Sequence, residues 1–480
     1  MLISTFSVNF AEIRFWLLLA SGLGFIALAQ TAVGRWRPAW LDRLDKVGLV
    51  SLGLFLLLCV SWVTFVIFLV VALGSYFGLK WVLGRPKQGQ VRYLWGLIPL
   101  QLLPLLYYKY ANFAANQVLD LNLDSLRQLA IPVGISFYTF QKVAFVVDTL
   151  AFEQPLPRFL DYLNFAGFFP QIVAGPIERR RDLLPQMEQF RFAWNPANIN
   201  DGVSWIVVGL FFKCCLADNL ANYFNGSLAT NAFVIWTDNV LFGLRIYYDF
   251  AGYSLIALGL ARCLGIKLTL NFLSPYWSTS ISEFWRRWHI SFSRWILDYI
   301  FMPLQMQWRD WPRPKLAAAL ALLVTFLVSG LWHGAGWNFV IWGALHGTYL
   351  IVNRFCFTKH RLPKRVAWLI TWVAVFGAWL SFYELRTGVL LTKMKTIFTP
   401  SAYSLGSLRA LPGQWSPPDR AVLLCFVGLT AGTLLLEWLS VARQGEPYCF
   451  LRRPWVLSVL IILTFLLAPG QNNAFIYFAF

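Results

Sequence analysis

The most restrictive feature of this chain is a long segment that carries no formal charge and yet contains two histidines. Residues 316–353 include no Lys, Arg, Asp or Glu, and the only titratable imidazoles there are His333 and His346. A transmembrane helix needs about 20 apolar residues, so this window has room for two spans joined near residues 334–338. Ionisable groups at such depth usually face a bundle interior or a water-filled cavity. The pattern therefore predicts a membrane hairpin with His333 at a functional position.

Apolar segments of this kind recur along the chain. Of the 480 residues, 58% are hydrophobic and only 13% are charged, whereas soluble domains have about 25% charged residues. The other charge-free runs are 15–33, 48–79, 366–383, 421–436 and 455–480. At about 20 residues per span, we expect an all-α, multi-pass integral membrane protein with about ten to twelve transmembrane helices. Because no internal repeat is present, residues 1–480 are predicted to form a single membrane domain.

The net charge of +18 comes largely from short basic connections. Residues 80–92 and 354–365 contain several lysines and arginines and no acid. By the positive-inside rule, both connections should lie in the cytoplasm. No basic face with stacking aromatics stands outside a membrane context, so a nucleic-acid partner is not expected.

The cysteines and the N-terminal apolar run both have ordinary interpretations in a membrane protein. The seven cysteines show no metal-type spacing, so we expect buried free thiols and no metal site. The run 15–29 resembles a signal peptide, but Glu12 precedes it and Arg14 is the only basic residue there. An uncleaved first span is therefore favoured over a signal peptide.

Two regions depart from simple spans. The first, 131–178, is interrupted by Pro132, Gly134, Pro170, Gly175 and Pro176. Proline and glycine break helices, and non-helical backbone at membrane depth is tolerated only inside protein or around a cavity. We expect re-entrant or half-spanning segments in this region.

The second region, 280–304, begins with a capping box formed by Ser280 and Glu283. At helical spacing, aromatic side chains fall on one face and polar side chains on another, with His289 beside the aromatic face. The aromatic face comprises Phe284, Trp288, Trp295 and Tyr299, and the polar face comprises Arg287, Ser291, Arg294 and Asp298. A helix of this kind is predicted to lie in the membrane interface.

His289 and His333 are the strongest candidates for chemistry. Histidine exchanges a proton near neutral pH, as general acid–base catalysis requires. The alternative is that each histidine only hydrogen-bonds a neighbouring helix. Gly334 and Gly336 favour a functional role for His333, because glycine permits close approach of a ligand or backbone.

Two further polar residues stand in apolar surroundings. His346 is equally compatible with a packed interhelical position and with a supporting role. Asp249 could orient a histidine, bind a substrate hydroxyl or pair with Arg245. No Gly-rich nucleotide loop or zinc motif is present. The residues alone therefore indicate a membrane protein with a histidine-containing cavity and leave a transporter open.

An ordered set of motifs resembles the membrane-bound O-acyltransferase family. The resemblance is to its bacterial branch, which includes the alginate O-acetylase membrane component and the teichoic-acid D-alanyl transferase. It covers residues 131–354 and the last six residues. The motifs are SFYTFQ at 136–141, FPQIVAGPI at 169–177, ADNL at 217–220, IYYDFAGYS at 246–254, FWRRWHIS at 284–291 and GLWHG at 330–334.

The resemblance implies a ring of transmembrane helices around a thin centre of tilted, re-entrant and interfacial helices. In that family the histidine of the Leu-Trp-His-Gly motif is regarded as catalytic, which corresponds to His333. The histidine of the Trp-Arg-Arg-Trp-His motif is its companion and corresponds to His289. Supporting or substrate-binding roles are expected for Asp249, His346, Trp332, Asn338, Arg287 and Tyr477.

The C-terminal residues 475–480 match a Phe-x-Tyr-Phe-x-Phe pattern of this branch and of small partner peptides of related systems. Tyr477 is therefore a candidate transient acyl acceptor or docking element, and simple interfacial packing of an aromatic terminus is the alternative. Two departures from the family are visible. The first 120 residues match weakly, and Leu255 replaces the acid that usually follows Gly-Tyr-Ser.

The activity implied by the resemblance is acetyl transfer from a cytoplasmic thioester, with acetyl-CoA as donor and no tightly bound cofactor. The acceptor would be an extracytoplasmic polysaccharide such as alginate, reached through a separate periplasmic or extracellular acetyltransferase. The protein would lie among the lipids of the bacterial cytoplasmic membrane. Alternatives are D-alanyl or other acyl transfer to a cell-wall polymer, a non-enzymatic export or transport subunit, and a structural subunit of a synthase.

Overall fold

The computed structural model describes residues 10, 12–127, 129–172, 175–224, 231–357, 362–469, 473 and 475–476. Every regular element within these ranges is helical, which confirms the all-α prediction. The chain divides into two compact units. One comprises residues 1–206 and 253–269, and the other comprises residues 207–252 and 270–480.

The first unit contains seven of the longer helices. They are α1 (Ile13–Trp36), α2 (Leu41–Val60), α3 (Trp62–Leu83), α4 (Leu94–Leu105), α5 (Ile135–Leu150), α6 (Phe159–Gly167) and α7 (Arg180–Glu188). The break predicted before α5 is present, because Gly134 adopts φ 74°, a conformation that favours glycine. A second break follows α6, where only the short helix Phe169–Ile172 forms. Both interruptions are confirmed, and their re-entrant position in a membrane stays a prediction.

Two helices contribute residues to both units. They are α8 (Pro196–Leu210), which continues as the π-helix Phe211–Ala217, and α9 (Ala232–Cys263). A π-helix is rare and is often found at functional positions. The π-helix therefore makes Phe211–Ala217 a candidate functional segment.

The second unit contains the predicted hairpin. Its longer helices are α10 (Ile281–Arg287), α11 (Ile290–Ile296), α12 (Pro314–His333), α13 (Trp337–Cys356), α14 (Lys364–Tyr383), α15 (Thr387–Ile397), α16 (Pro417–Gln444) and α17 (Pro454–Leu467). α12 and α13 pack backbone against backbone at two glycines. A Cβ atom on Gly330 would collide with the carbonyl oxygen of Phe339, and one on Gly343 would collide with that of Phe326.

The prediction of a single interfacial helix over residues 280–304 is wrong. The cap is present, since Ser280 Oγ accepts the N–H of Glu283 at 3.1 Å. However, α10 ends at Arg287, and the chain turns at His289, which has φ 43° and ψ 55°. The cause is tertiary: the N–H of Ile290 donates to the carbonyl of Asn271 at 2.9 Å instead of continuing the helix.

Six described helices are long and apolar enough to cross a membrane. They are Ile13–Arg35, Trp62–Leu83, Pro196–Tyr223, Pro314–His333, Lys364–Tyr383 and Pro417–Gln444. This number is lower than the ten to twelve spans expected, because other long helices carry charged or polar residues. Asp45 and Lys46 lie in α2, Asp238 and Asp249 lie in α9, and α13 is too polar to qualify.

The glycine contact predicts a measurable loss of stability. Gly343→Ala should lower the thermal unfolding temperature in detergent, because overpacking of this kind costs about 1–3 kcal/mol. Gly428→Ala in α16 is the matched control, since no heavy atom lies within 4 Å of its Cβ position. Alanine is favoured over glycine in helices, so the control should keep or raise the unfolding temperature. Equal losses in both variants would contradict the backbone contact.

Candidate functional site

His333 is the last residue of α12 and is 3% exposed. Its imidazole lies among aromatic rings, with centroid distances of 4.8 Å to Trp342 of α13 and 5.2 Å to Phe382 of α14. Asn338, at the start of α13, donates its side-chain N–H to the carbonyl of Ser381 at 3.1 Å. This bond fastens the first turn of α13 to the end of α14. The turn after His333 is thus held in place by both neighbouring helices.

His289 occupies the left-handed turn between α10 and α11. Its Nδ1 accepts the backbone N–H of Phe292 at 3.2 Å, so the side chain caps the start of α11. A positive φ is uncommon outside glycine and is several-fold enriched for histidine and asparagine. Because Nδ1 is the acceptor, the neutral ring carries its proton on Nε2. The structure therefore fixes both the position and the tautomer of this imidazole.

The two histidines predicted from the sequence are brought together on a shared pair of rings. Phe292 and Trp332 stack at 4.2 Å. His289 lies 5.1 Å from Phe292 and 6.0 Å from Trp332. His333 lies 5.6 Å from Phe292 and 4.8 Å from Trp332. Trp332 therefore contacts both imidazoles.

His346 lies on α13 behind this pair. It is fully buried, and its Nδ1 accepts the indole N–H of Trp285 at 3.3 Å. Its ring also packs on Trp342 at 4.6 Å. These contacts fasten α10 to α13, so the position agrees with the interhelical interpretation left open by the sequence.

The two adjacent arginines of α10 have different surroundings. Arg287 is paired with Glu283 at 2.7 Å, one turn earlier in the same helix. Arg286 lines a cavity and has no polar partner among the described residues. Sequence reasoning selected Arg287, although an acid four residues earlier is a signal that this arginine is already paired.

The cavity beside α10 has a volume of about 870 Å³. Of the described residues that line it, three are arginines, namely Arg286, Arg294 and Arg354, and none is an acid. Serine and asparagine side chains supply further polar groups, while Trp285 and Ile290 form part of its apolar wall. Ile290 follows His289 directly in the chain. The cavity thus combines three arginine side chains with an apolar wall that reaches the histidine turn.

Within the described residues, Asp249 forms neither a hydrogen bond to a histidine nor an ion pair with Arg245. Its carboxylate lies 2.7 Å from Nζ of Lys213 and accepts the N–H of Ile476 at 2.7 Å. Sequence reasoning missed Lys213, which lies in the apolar run before the ADNL motif. Tyr477 lies outside the described residues.

With this geometry established, comparisons with known proteins identify the family. The family model described as MBOAT, membrane-bound O-acyltransferase family, matches residues 88–388, more than half of the chain. The chain belongs to the membrane-bound O-acyltransferase family. The matched range contains the motifs of both His289 and His333.

Curated relatives of this acyltransferase carry three different names. The peptidoglycan O-acetyltransferase of Helicobacter pylori is 35% identical over 318 residues, 58% of this chain and 59% of that protein. A probable alginate O-acetylase of Pseudomonas putida is 30% identical over 391 residues, 78% of this chain and 75% of that protein. The teichoic acid D-alanyltransferase of Bacillus subtilis is 31% identical over 268 residues, 52% of this chain and 66% of that protein. The chain thus spans less than two thirds of the length of two of these three proteins.

The contact of Trp285 with His346 predicts energetic coupling inside this acyltransferase. Trp285→Phe and His346→Leu should each lower stability, because each leaves a buried partner without its hydrogen bond. The double variant should lose less than the sum by about 0.5–1.5 kcal/mol. Unfolding curves of the four proteins in one detergent measure this coupling. Strict additivity would show that the bond does not stabilise the fold.

Proposed function

We propose that this acyltransferase moves an acetyl group from cytoplasmic acetyl-CoA towards an extracytoplasmic polysaccharide. The observation that carries the proposal is the packing of His289 and His333 on Phe292 and Trp332. Two of the named relatives are O-acetylating proteins by their names, which favours acetyl as the group. The bacterial cytoplasmic membrane is the proposed location, because it separates a thioester pool from a polymer outside.

His333 acts as general base in this mechanism. It takes the proton of the acceptor hydroxyl while the hydroxyl oxygen attacks the thioester carbonyl carbon. A carbon–oxygen bond forms, and the tetrahedral intermediate then collapses with cleavage of the carbon–sulfur bond. The proton held by His333 passes to the departing thiolate. The products are an ester and free CoA, and no further reactant is needed.

His289 has a different role because of its hydrogen bond. Nδ1 is engaged by the N–H of Phe292, so Nε2–H is the side of the ring that can donate. A hydrogen-bond donor fixed in this way stabilises the negative charge that develops on the carbonyl oxygen of the thioester. The αL turn holds the ring in place before the reaction, which avoids reorganisation in the transition state.

The cavity beside α10 is the proposed binding site of acetyl-CoA. Arginine binds phosphate through charge-assisted, often bidentate hydrogen bonds, and CoA carries several phosphate groups. Arg286, Arg294 and Arg354 line the cavity, and no acid is found among its described lining residues. Arg354 begins the basic connection that the positive-inside rule assigns to the cytoplasm. Phosphates at this end would direct the thioester along the apolar wall towards His289.

The acceptor side of the proposal rests on the family resemblance. Tyr477 is proposed as a transient acyl acceptor that passes the group to a separate periplasmic or extracellular acetyltransferase. That partner would then esterify the polysaccharide. The likeness to teichoic acid D-alanyltransferase makes D-alanyl transfer from a carrier thioester the second candidate.

Removal of the general base should abolish transfer. His333→Ala is expected to lower the rate of CoA release from acetyl-CoA by about 10²–10⁴-fold, with normal membrane insertion and unfolding temperature. Purified protein in nanodiscs with labelled acetyl-CoA measures both CoA release and label on the protein. His360→Ala, in the basic connection, is the matched histidine control and should retain activity. Normal transfer by the His333 variant would exclude the mechanism.

If Arg286 binds the phosphates of acetyl-CoA, its replacement should change KM for acetyl-CoA and not kcat. Arg286→Gln should raise KM for acetyl-CoA about tenfold with little change in kcat, because one charge-assisted bond of roughly 1.5 kcal/mol is lost. Arg309→Gln is the control, since Arg309 is exposed beside Asp310. An unchanged KM in the Arg286 variant would place the donor phosphates elsewhere. If only a D-alanyl carrier thioester supports transfer in the wild-type protein, the second candidate replaces the first.

A further inference from the structure

A buried charged cluster lies in the second unit at Lys213, Asp218 and Asp249. The three side chains are 1–5% exposed. Nζ of Lys213 lies 2.7 Å from a carboxylate oxygen of each aspartate and donates to the backbone carbonyl of Asn473 at 2.9 Å. An ammonium group has three N–H donors. Asp218 and the carbonyl of Asn473 accept hydrogen bonds from this group, and Asp249 forms an ion pair with it.

The cluster contacts this segment through backbone atoms at a second point. The N–H of Ile476 donates to Asp249 Oδ2 at 2.7 Å. The side chain of Asn473 also donates to the backbone carbonyl of Asp218 at 3.4 Å. Contacts to backbone atoms fix the path of the chain irrespective of its side chains. A charged group buried without such partners would be costly, so the segment satisfies a requirement of the cluster.

Local structure explains why these side chains meet. The π-helix Phe211–Ala217 widens the turn, so that Lys213 and Asp218, five residues apart, contact each other. Gly252 allows α9 to approach closely, because a Cβ atom there would lie 2.9 Å from the backbone nitrogen of Lys213. The aspartate and glycine of the IYYDFAGYS motif thus serve the same contact.

The docked segment reaches the histidine turn through one ring. Phe475 is buried and lies 5.7 Å from Phe250. Phe250 in turn lies 4.6 Å from the imidazole of His289. Phe250 neighbours Asp249 in the chain, so the ion cluster and the aromatic contact act on the same turn of α9.

We infer that the Lys213–Asp218–Asp249 cluster is a docking site for the segment of this same chain that contains Asn473 and Ile476, and that docking positions His289 for acyl transfer. Lys213 and Phe475 are then positioning residues that act through Phe250. The docking itself stands independently, whereas its catalytic consequence rests on the proposed function of His289.

Limited carboxypeptidase digestion followed by intact-mass analysis tests the docking on the full-length protein. Digestion of the wild type should not remove Ile476, because its backbone is bonded to Asp249. In Asp249→Asn, which weakens the ion cluster, digestion should continue past Asn473. Asp161→Asn is the matched control, since Asp161 pairs with buried Lys46 at 2.7 Å in the first unit. Digestion of the folded wild type past Asn473 would overturn the docking site.

Phe475→Ala tests positioning without disturbing the buried charges. In the folded protein it should lower kcat for acetyl transfer about tenfold or more, as small displacements of catalytic groups do, with unchanged KM for acetyl-CoA. An unaltered kcat would overturn the positioning role. If the wild type shows a protected end but no acetyl transfer, the proposed function fails while the docking site stands.

Discussion

The backbone contact between α12 and α13 is the constraint on which the candidate site depends. Gly330 and Gly343 let the two helices approach until carbonyl oxygens occupy the space of absent side chains. Small residues at helix interfaces serve this purpose in membranes, where no hydrophobic force drives helices together. The close contact sets the short turn after His333 and brings Trp342 against its ring. A wider hairpin would leave that imidazole without its aromatic surroundings.

Hydrogen bonds from the backbone at the start of α11 to groups outside that helix also determine the position of His289. The carbonyl of Asn271 receives the N–H of Ile290, and the side chain of His289 receives that of Phe292. Both donors belong to the start of α11 and would otherwise be unsatisfied. A left-handed conformation costs about 1–3 kcal/mol, which these bonds help to offset. One imidazole thereby becomes both a helix cap and an oriented reaction group.

Buried polar groups connect distant segments of the second unit. Nζ of Lys213 donates a hydrogen bond to the carbonyl of Asn473. The hydroxyl of Tyr247 donates to the carboxylate of Glu437 in α16 at 2.5 Å. Removing one member of such a pair leaves an uncompensated buried group and costs about 3–5 kcal/mol. The IYYDFAGYS motif supplies residues to both contacts. Its polar side chains therefore connect helices, while its phenylalanine faces His289.

The sequence by itself determined the helical class, a hairpin turn near residues 334–338 and the two candidate histidines, because charge-free runs, glycines and motifs are local features. Tertiary structure decided the break at His289, since its cause is a bond to Asn271, far from the helix pattern. It also decided that Asp249 pairs with Lys213, 36 residues away in the chain. The choice between Arg286 and Arg287 depended on which side chain Glu283 neutralises and which faces a cavity. The hydrophobic periodicity of a sequence describes one helix at a time. The break at His289, the partner of Asp249 and the surroundings of the two arginines depend on which other segments pack against that helix.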